Sequence, residues 1–276
     1  KEGIPTLTLA AIFQKDPQIL MSHPGKFAEF KDLAGASKYI LSAEGFTSYF
    51  TWMKAQWPDF VEEKYEPYQF NPSSFLADPD SIQQGYLTSE PLSIETEAGF
   101  APDVWLLADQ GFQPYSTTIE VMKPWYDANK DVAKRFVEAT IIGWYNYLYG
   151  DNAAANELIK ADNPNMSDEL LAWGLSTLKQ YRLVTGGDAA TQGIGVMSDA
   201  RWQATRNFMV EAGLLGAEVV ASAGSEEKRS YCQSLGAMLT IDSRQPGFAA
   251  NLKAAGGVDV ILDPVGAALF ADNLAS

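Results

Sequence analysis

The chain has 276 residues, a hydrophobic fraction of 46% and a formal net charge of −15. That length and apolar content build one large core or two smaller ones and exclude a disordered chain. The acidic excess excludes nucleic acid and anionic membrane surfaces as partners, because both call for a basic face. Cys232 is the only cysteine and His23 the only histidine, so no internal disulfide forms. His23 stands in Ser-His-Pro-Gly, a turn setting that suits a surface or hinge role better than a triad or a metal site. No apolar run approaches the ~20 residues of a membrane helix.

In chain order, TLTLAAIF (6–13) reads as a buried strand, broken up after Pro17 by Ser22-His23-Pro24-Gly25. SKYILSA (37–43) is a second strand, which passes through a tight turn into the helix SYFTWMKAQW. YEPYQFN (65–71) is a third strand, PDSIQQG (79–85) a short helix, and GYLTS (85–89) and DVWLLAD (103–109) are further strands. The clearest helix runs from Asp131 to Leu148, with Val132, Phe136, Ala139, Ile142 or Gly143 and Tyr147 on one side. Helices follow at 151–162, after the N-cap Ser167, and from Ser198 to Gly213. Near Leu215 the chain changes character. All seven Trp lie earlier, and the last 60 or so residues alternate as strand, helix, strand, helix, strand. This pattern predicts α/β architecture with largely parallel sheets and a C-terminal βαβαβ segment.

The phrases DLAGASKYILSAEGFTSYFTWMKAQ, GYLTSEPLSIETEAG, DVWLLADQGFQPYSTTI, RFVEATIIGWYNYLYGD and LIKADNP resemble one group of bacterial ABC-transporter substrate-binding proteins. That group holds binders of thiamine pyrimidine precursors and riboflavin and, more distantly, of sulfonates. The resemblance covers residues 1–215 and lacks the family's N-terminal part. It implies a two-lobed, periplasmic-binding-protein-like α/β fold: residues 1–21 and the helix-rich 106–215 in lobe one, 22–105 in lobe two, and 216–276 as a Rossmann-like addition. It further implies a periplasmic, non-enzymatic solute binder whose signal peptide is absent from this sequence. A small heteroaromatic or anionic solute, a thiamine pyrimidine precursor first among them, would lie in an interlobe cleft, with an ABC permease as partner.

Residue chemistry gives candidates for that cleft. Ser42, Gly45, Thr47 and Ser48 open a helix whose N–H groups and hydroxyls suit an anion or a polar ring edge, or serve as ordinary caps. Glu90 matches a ligand-facing glutamate of the pyrimidine binders, or is a loop acid. Phe13, Gln14, Trp105 and Tyr115 flank strand ends, where aromatics stack on a flat ring or belong to the core.

The tail phrases VVASAGSEEKRSYCQSLGA and GGVDVILDPVG resemble the nucleotide-binding domain of the quinone-oxidoreductase branch of the medium-chain dehydrogenases. The resemblance implies that Ser225 and Lys228 sit near the 2′-phosphate of NADPH. The G-x-G-x-x-G fingerprint does not precede them, so no cofactor is expected, and an NADPH-dependent oxidoreductase stands as the alternative function. A fungal pyrimidine synthase related to the binding family depends on a histidine and a cysteine-rich motif. One His and one Cys do not suit it. The tail strands are expected to add beside TLTLAAIF.

Overall fold

The structure, a computed structural model, describes residues 4–213, 220–223, 225–234, 239–242 and 244. The chain divides into two compact units: Thr8–Glu120 with Asn129–Leu215, and Lys1–Leu7 with Val121–Ala128 and Gly216–Ser276. In chain order the first elements are strands β1 (Thr6–Phe13), β2 (Gln18–Ser22) and β3 (Tyr39–Leu41), then helices α1 (Ala43–Thr47) and α2 (Tyr49–Gln56). Next come β4 (Tyr65–Pro67), α3 (Ser73–Ala77), β5 (Ile82–Tyr86), α4 (Glu90–Ala98), β6 (Asp103–Leu106) and β7 (Ser116–Met122). Helices α5 (Lys123–Ala128), α6 (Lys130–Tyr149), α7 (Ala153–Asp162), α8 (Asp168–Gln180), α9 (Ala189–Gln192) and α10 (Asp199–Glu211) lead to β8 (Val220–Ser222), α11 (Glu226–Ser234) and β9 (Leu239–Ile241).

The fold is α/β, as the sequence pattern predicts. Its main sheet is five-stranded, in the order β4-β3-β5-β2-β6. Strand β3 runs parallel to β4 and β5, whereas β2 runs antiparallel to both β5 and β6. The sheet is therefore mixed rather than largely parallel. The period-two alternation of strands sorts its side chains into two cores. Leu20, Tyr39, Leu41 and Trp105 face a cluster built on Phe50, Met53 and Phe60. Their neighbours Ile19, Met21, Ile40 and Leu106 face Phe75 and Ile94. Ile19, Leu20 and Met21 are wholly buried, each contributing about 1.5–3 kcal/mol by burial. A third cluster joins Ile12 of β1 to Leu148 of α6 and Leu178 of α8.

Three local expectations change. Residues 79–85 are not a helix: Ile82–Tyr86 is strand β5, with the polar Gln83 and Gln84 buried inside the sheet. Strand β2 lies where the sequence reads as broken, because Pro17 precedes the strand and the turn residues follow it. Helix α6 forms as expected, but most of its predicted stripe points outward, Tyr147 alone of it packing on the third cluster. Val132, Phe136 and Ile142 are exposed, and Ala133, Trp144 and Leu148 pack inward. The caps hold: Ser167 accepts from the Leu170 N–H, and Ser198 from that of Arg201.

In the second unit, β8 and β9 pair in parallel across α11. Among the described residues β8 and β9 form a two-stranded sheet, and β1 pairs with β7. The predicted second helix and last strand of the tail lie outside the described residues.

Candidate functional site

Three places in the molecule gather the predicted residues. The first is the edge of the main sheet where β3 and β5 end. Ser42 caps α1, its Oγ accepting the Gly45 N–H at 3.1 Å. The Ser42 N–H donates to Gln84 Oε1 at 2.5 Å, and the Tyr49 hydroxyl donates to the same oxygen at 2.8 Å. A Cβ on Gly45 would stand 2.4 Å from the Tyr49 hydroxyl. Gly45 thus makes room for a buried tyrosine rather than for a ligand. Thr47 Oγ1 donates to the Ala43 carbonyl at 3.0 Å and Ser48 Oγ to that of Glu44 at 2.5 Å. Both hydroxyls are spent on their own helix. Glu90 opens α4, and its carboxylate accepts the Tyr86 N–H at 2.9 Å and the Ser89 hydroxyl. It closes the strand-to-helix turn.

Sequence reading missed the electrostatic centre of this edge. Burial raises the carboxyl pKa of Asp16, opposed by the N–H bond from Gln18 at 2.9 Å. Burial pushes the Tyr49 phenol well above its ordinary range, and the Asp16 charge adds to the effect. Tyr86 is raised by burial and then by Asp16 and Glu90. No local motif marks Asp16.

The second place is a cleft of about 420 Å³ between the end of β1, the segment 108–113 and α10. Gln14 lies on its floor, 2% exposed, and donates through Nε2 to the carbonyls of Ala11 (3.1 Å) and Val196 (2.9 Å). Arg201 Nη2 donates to the carbonyls of Gln14, Gln113 (3.4 Å) and Pro114 (3.5 Å). Its guanidinium lies 4.3 Å from the Tyr115 ring centroid, a cation–π contact. Tyr115 is a buried hub: its hydroxyl donates to Asp188 at 2.8 Å and accepts the Ser198 N–H at 3.0 Å. Ser198 Oγ also donates to Asp188, at 2.7 Å. These bonds, and then the Arg201 charge, hold the Asp188 carboxyl below its ordinary range. The other two aromatics belong to the cores. Phe13 meets Trp144 edge-on at 5.8 Å, and Trp105 donates to Ser22 Oγ at 3.2 Å.

The third place is the turn between β8 and α11. Ser225 Oγ accepts the Lys228 N–H at 3.4 Å, and its carbonyl accepts the Arg229 N–H at 3.0 Å. The serine thereby starts the helix. Arg229 ties the turn down, reaching the Ala223 carbonyl at 2.9 Å, Asp242 at 3.0 Å and Glu226 at 2.6 Å. Lys228 is exposed beside this clamp and, among the described residues, pairs with no carboxylate.

No group of three or more His, Cys, Asp and Glu side chains is arranged to hold a metal among the described residues. His23 Nε2 bonds to the Phe75 carbonyl at 2.9 Å, and its ring lies 4.7 Å from those of Phe75 and Phe100. Cys232 belongs to α11 in the other unit. Among described helices none is long and apolar enough to cross a membrane.

Comparison with known families gives one finding. The family model described as zinc-binding dehydrogenase matches residues 210–276. No curated protein matches the chain. The match covers the dehydrogenase-like tail and opens just before it, at the end of α10. No finding supports the resemblance of residues 1–215 to transporter-linked binding proteins. The expectations of a non-enzymatic solute binder, of an ABC importer component and of a periplasmic transport role are corrected by this match, which points to an oxidoreductase. With no metal-holding cluster among the described residues, none of them is arranged as a zinc site. The tail of the chain, residues 210–276, is thus similar to the zinc-binding dehydrogenases.

Proposed function

We infer that the chain is part of a nicotinamide-dependent oxidoreductase, with residues 210–276 contributing to dinucleotide binding. The family match over that segment carries the reading. The parallel pairing of β8 and β9 around α11 supports it, because this is the strand–helix–strand unit on which dinucleotide folds are built. Bound there, a nicotinamide dinucleotide supplies hydride transfer. The chain's own residues serve its phosphate-bearing ribose end. The Ser225 hydroxyl and the Lys228 ammonium suit a phosphate, one as a hydrogen-bond donor and the other as a point charge. Arg229 acts by positioning: its bonds to Ala223 and Asp242 fix the turn that presents both groups. A lysine beside the ribose favours NADPH over NADH.

Titration of the full chain with NADPH and with NADH, followed by nicotinamide fluorescence, tests the reading. NADPH is expected to bind more tightly. Lys228→Glu is expected to weaken NADPH about tenfold or more, the loss of one charge-assisted contact, with NADH little changed. Equal affinity for the two cofactors, or no fluorescence response to either, would overturn it.

A further inference from the structure

Helix α6 carries an apolar stripe that the described residues leave uncovered. Val132, Phe136, Ile142, Tyr145 and Tyr149 are 44%, 59%, 68%, 44% and 62% exposed. Beside them Ala139, Gly143, Asn146 and Gly150 line an open groove of about 720 Å³. A Cβ on Gly143 would meet no atom within 4 Å. The helix therefore has a hole at Gly143 and, two turns earlier on the same side, a free ring at Phe136. From these exposures the stripe offers roughly 500 Å² of apolar side chain, most of the ~800 Å² that each partner gives to a stable interface.

The charges of α6 decide what can lie there. Lys130, Asp131, Lys134, Arg135 and Glu138 fall in its first nine residues, and residues 139–149 carry no charge. Three bases and two acids leave +1 on this helix in a chain of −15, so two copies of the chain repel least across it. Parallel pairing would set Lys134 and Arg135 against the same residues of the second copy. Antiparallel pairing sets them beside its uncharged half, at the end that the helix dipole makes negative.

We propose that α6 is the interface of a homodimer, in which two copies of the helix cross antiparallel about a two-fold axis near Ala139 and Gly143. The small residues at the axis let the helices approach closely. Phe136 of each copy enters the hole between Gly143, Asn146 and Gly150 of the other, so one stripe supplies both knob and hole, as an isologous contact requires. The interface lies wholly on the first unit and is independent of the dinucleotide reading.

Sedimentation velocity of the full chain over a range of concentrations tests this. The chain is expected to run as a reversible dimer. Phe136→Asp is expected to weaken dimerisation by about thirtyfold or more, the loss of a central aromatic contact. Gly143→Gln fills the hole with a good helix former and is expected to weaken it similarly. Both positions are open in the single chain. At dilutions where the wild type is monomeric, neither variant is expected to lower the urea midpoint. Phe70→Asp alters an 80% exposed ring outside α6 and is expected to leave the dimer intact. A chain that is monomeric at every concentration, a dimer indifferent to both α6 variants, or one weakened equally by Phe70→Asp would overturn the proposal. So would a lowered midpoint for monomeric Phe136→Asp, which would show that the chain covers the stripe itself.

Discussion

The two units differ in what holds them together. The first is a packing structure: three consecutive residues of β2 are wholly buried, and aromatic pairs such as Tyr39–Phe50 and Tyr39–Phe60, each with centroids at 5.5 Å, fill one face of the sheet. In the described part of the tail Arg229 joins the ends of β8 and β9, and Ile241 is buried. Yet the family match falls on the tail. Dense packing needs only apolar side chains of roughly the right volume, which many sequences supply. A turn that receives a phosphate needs particular groups at particular steps.

That contrast can be broken by mutation. Phe50→Ala removes a wholly buried ring and is expected to lower the stability of the first unit by about 3–5 kcal/mol, read as a shift in the urea midpoint at constant slope. Gly45→Ala is next. Its Cβ would meet the Tyr49 hydroxyl at 2.4 Å and displace the bond to Gln84, at a cost of about 1–3 kcal/mol. The pH dependence of Asp16 gives a smaller effect. Its folded carboxyl is raised above the unfolded value by burial. The ionised form therefore costs stability at neutral pH, and the cost fades as pH falls from the folded value toward the unfolded one. Asp16→Asn is expected to raise the denaturation midpoint at neutral pH, with the gain disappearing by about pH 4. A gain that persisted unchanged would show that Asp16 is not destabilised by burial. The contrast also predicts that Lys228→Glu leaves the stability of the first unit unchanged while impairing NADPH.

Features governed by neighbours in sequence were legible from sequence. Ser167 and Ser198 cap helices through bonds three residues away, and the apolar runs at 6–13 and 39–41 are strands. Features governed by distant partners were not. Gln83 and Gln84 make β5 look polar, and only Ser42 and Tyr49 explain why Gln84 can be buried. Helix α6 offers apolar side chains on more than one face, and periodicity cannot say which face the rest of the unit covers. The cleft shows the same limit. Gln14 and Tyr115 were visible as candidates, whereas Arg201 and Gly187, nearly two hundred residues after Gln14, carried no signal joining them to it. Ser225 and Lys228 came into view through the resemblance of the tail phrases to a dehydrogenase domain, and their local bonds show only that the serine starts α11.

The antiparallel placement of β2 has a consequence for biosynthesis. This strand is made before both of its partners, with Gln18↔Tyr86 on one side and Ile19↔Leu106 on the other. Until Ile82–Tyr86 is made, Gln-Ile-Leu-Met-Ser has two open edges, and until the segment around Leu106 is made it keeps one. Pairing between such distant segments is slow, and open edges invite association between chains. The nascent chain is therefore most exposed to aggregation while residues 23–106 are being synthesised, and a chaperone bound to residues 18–22 during that interval would protect it.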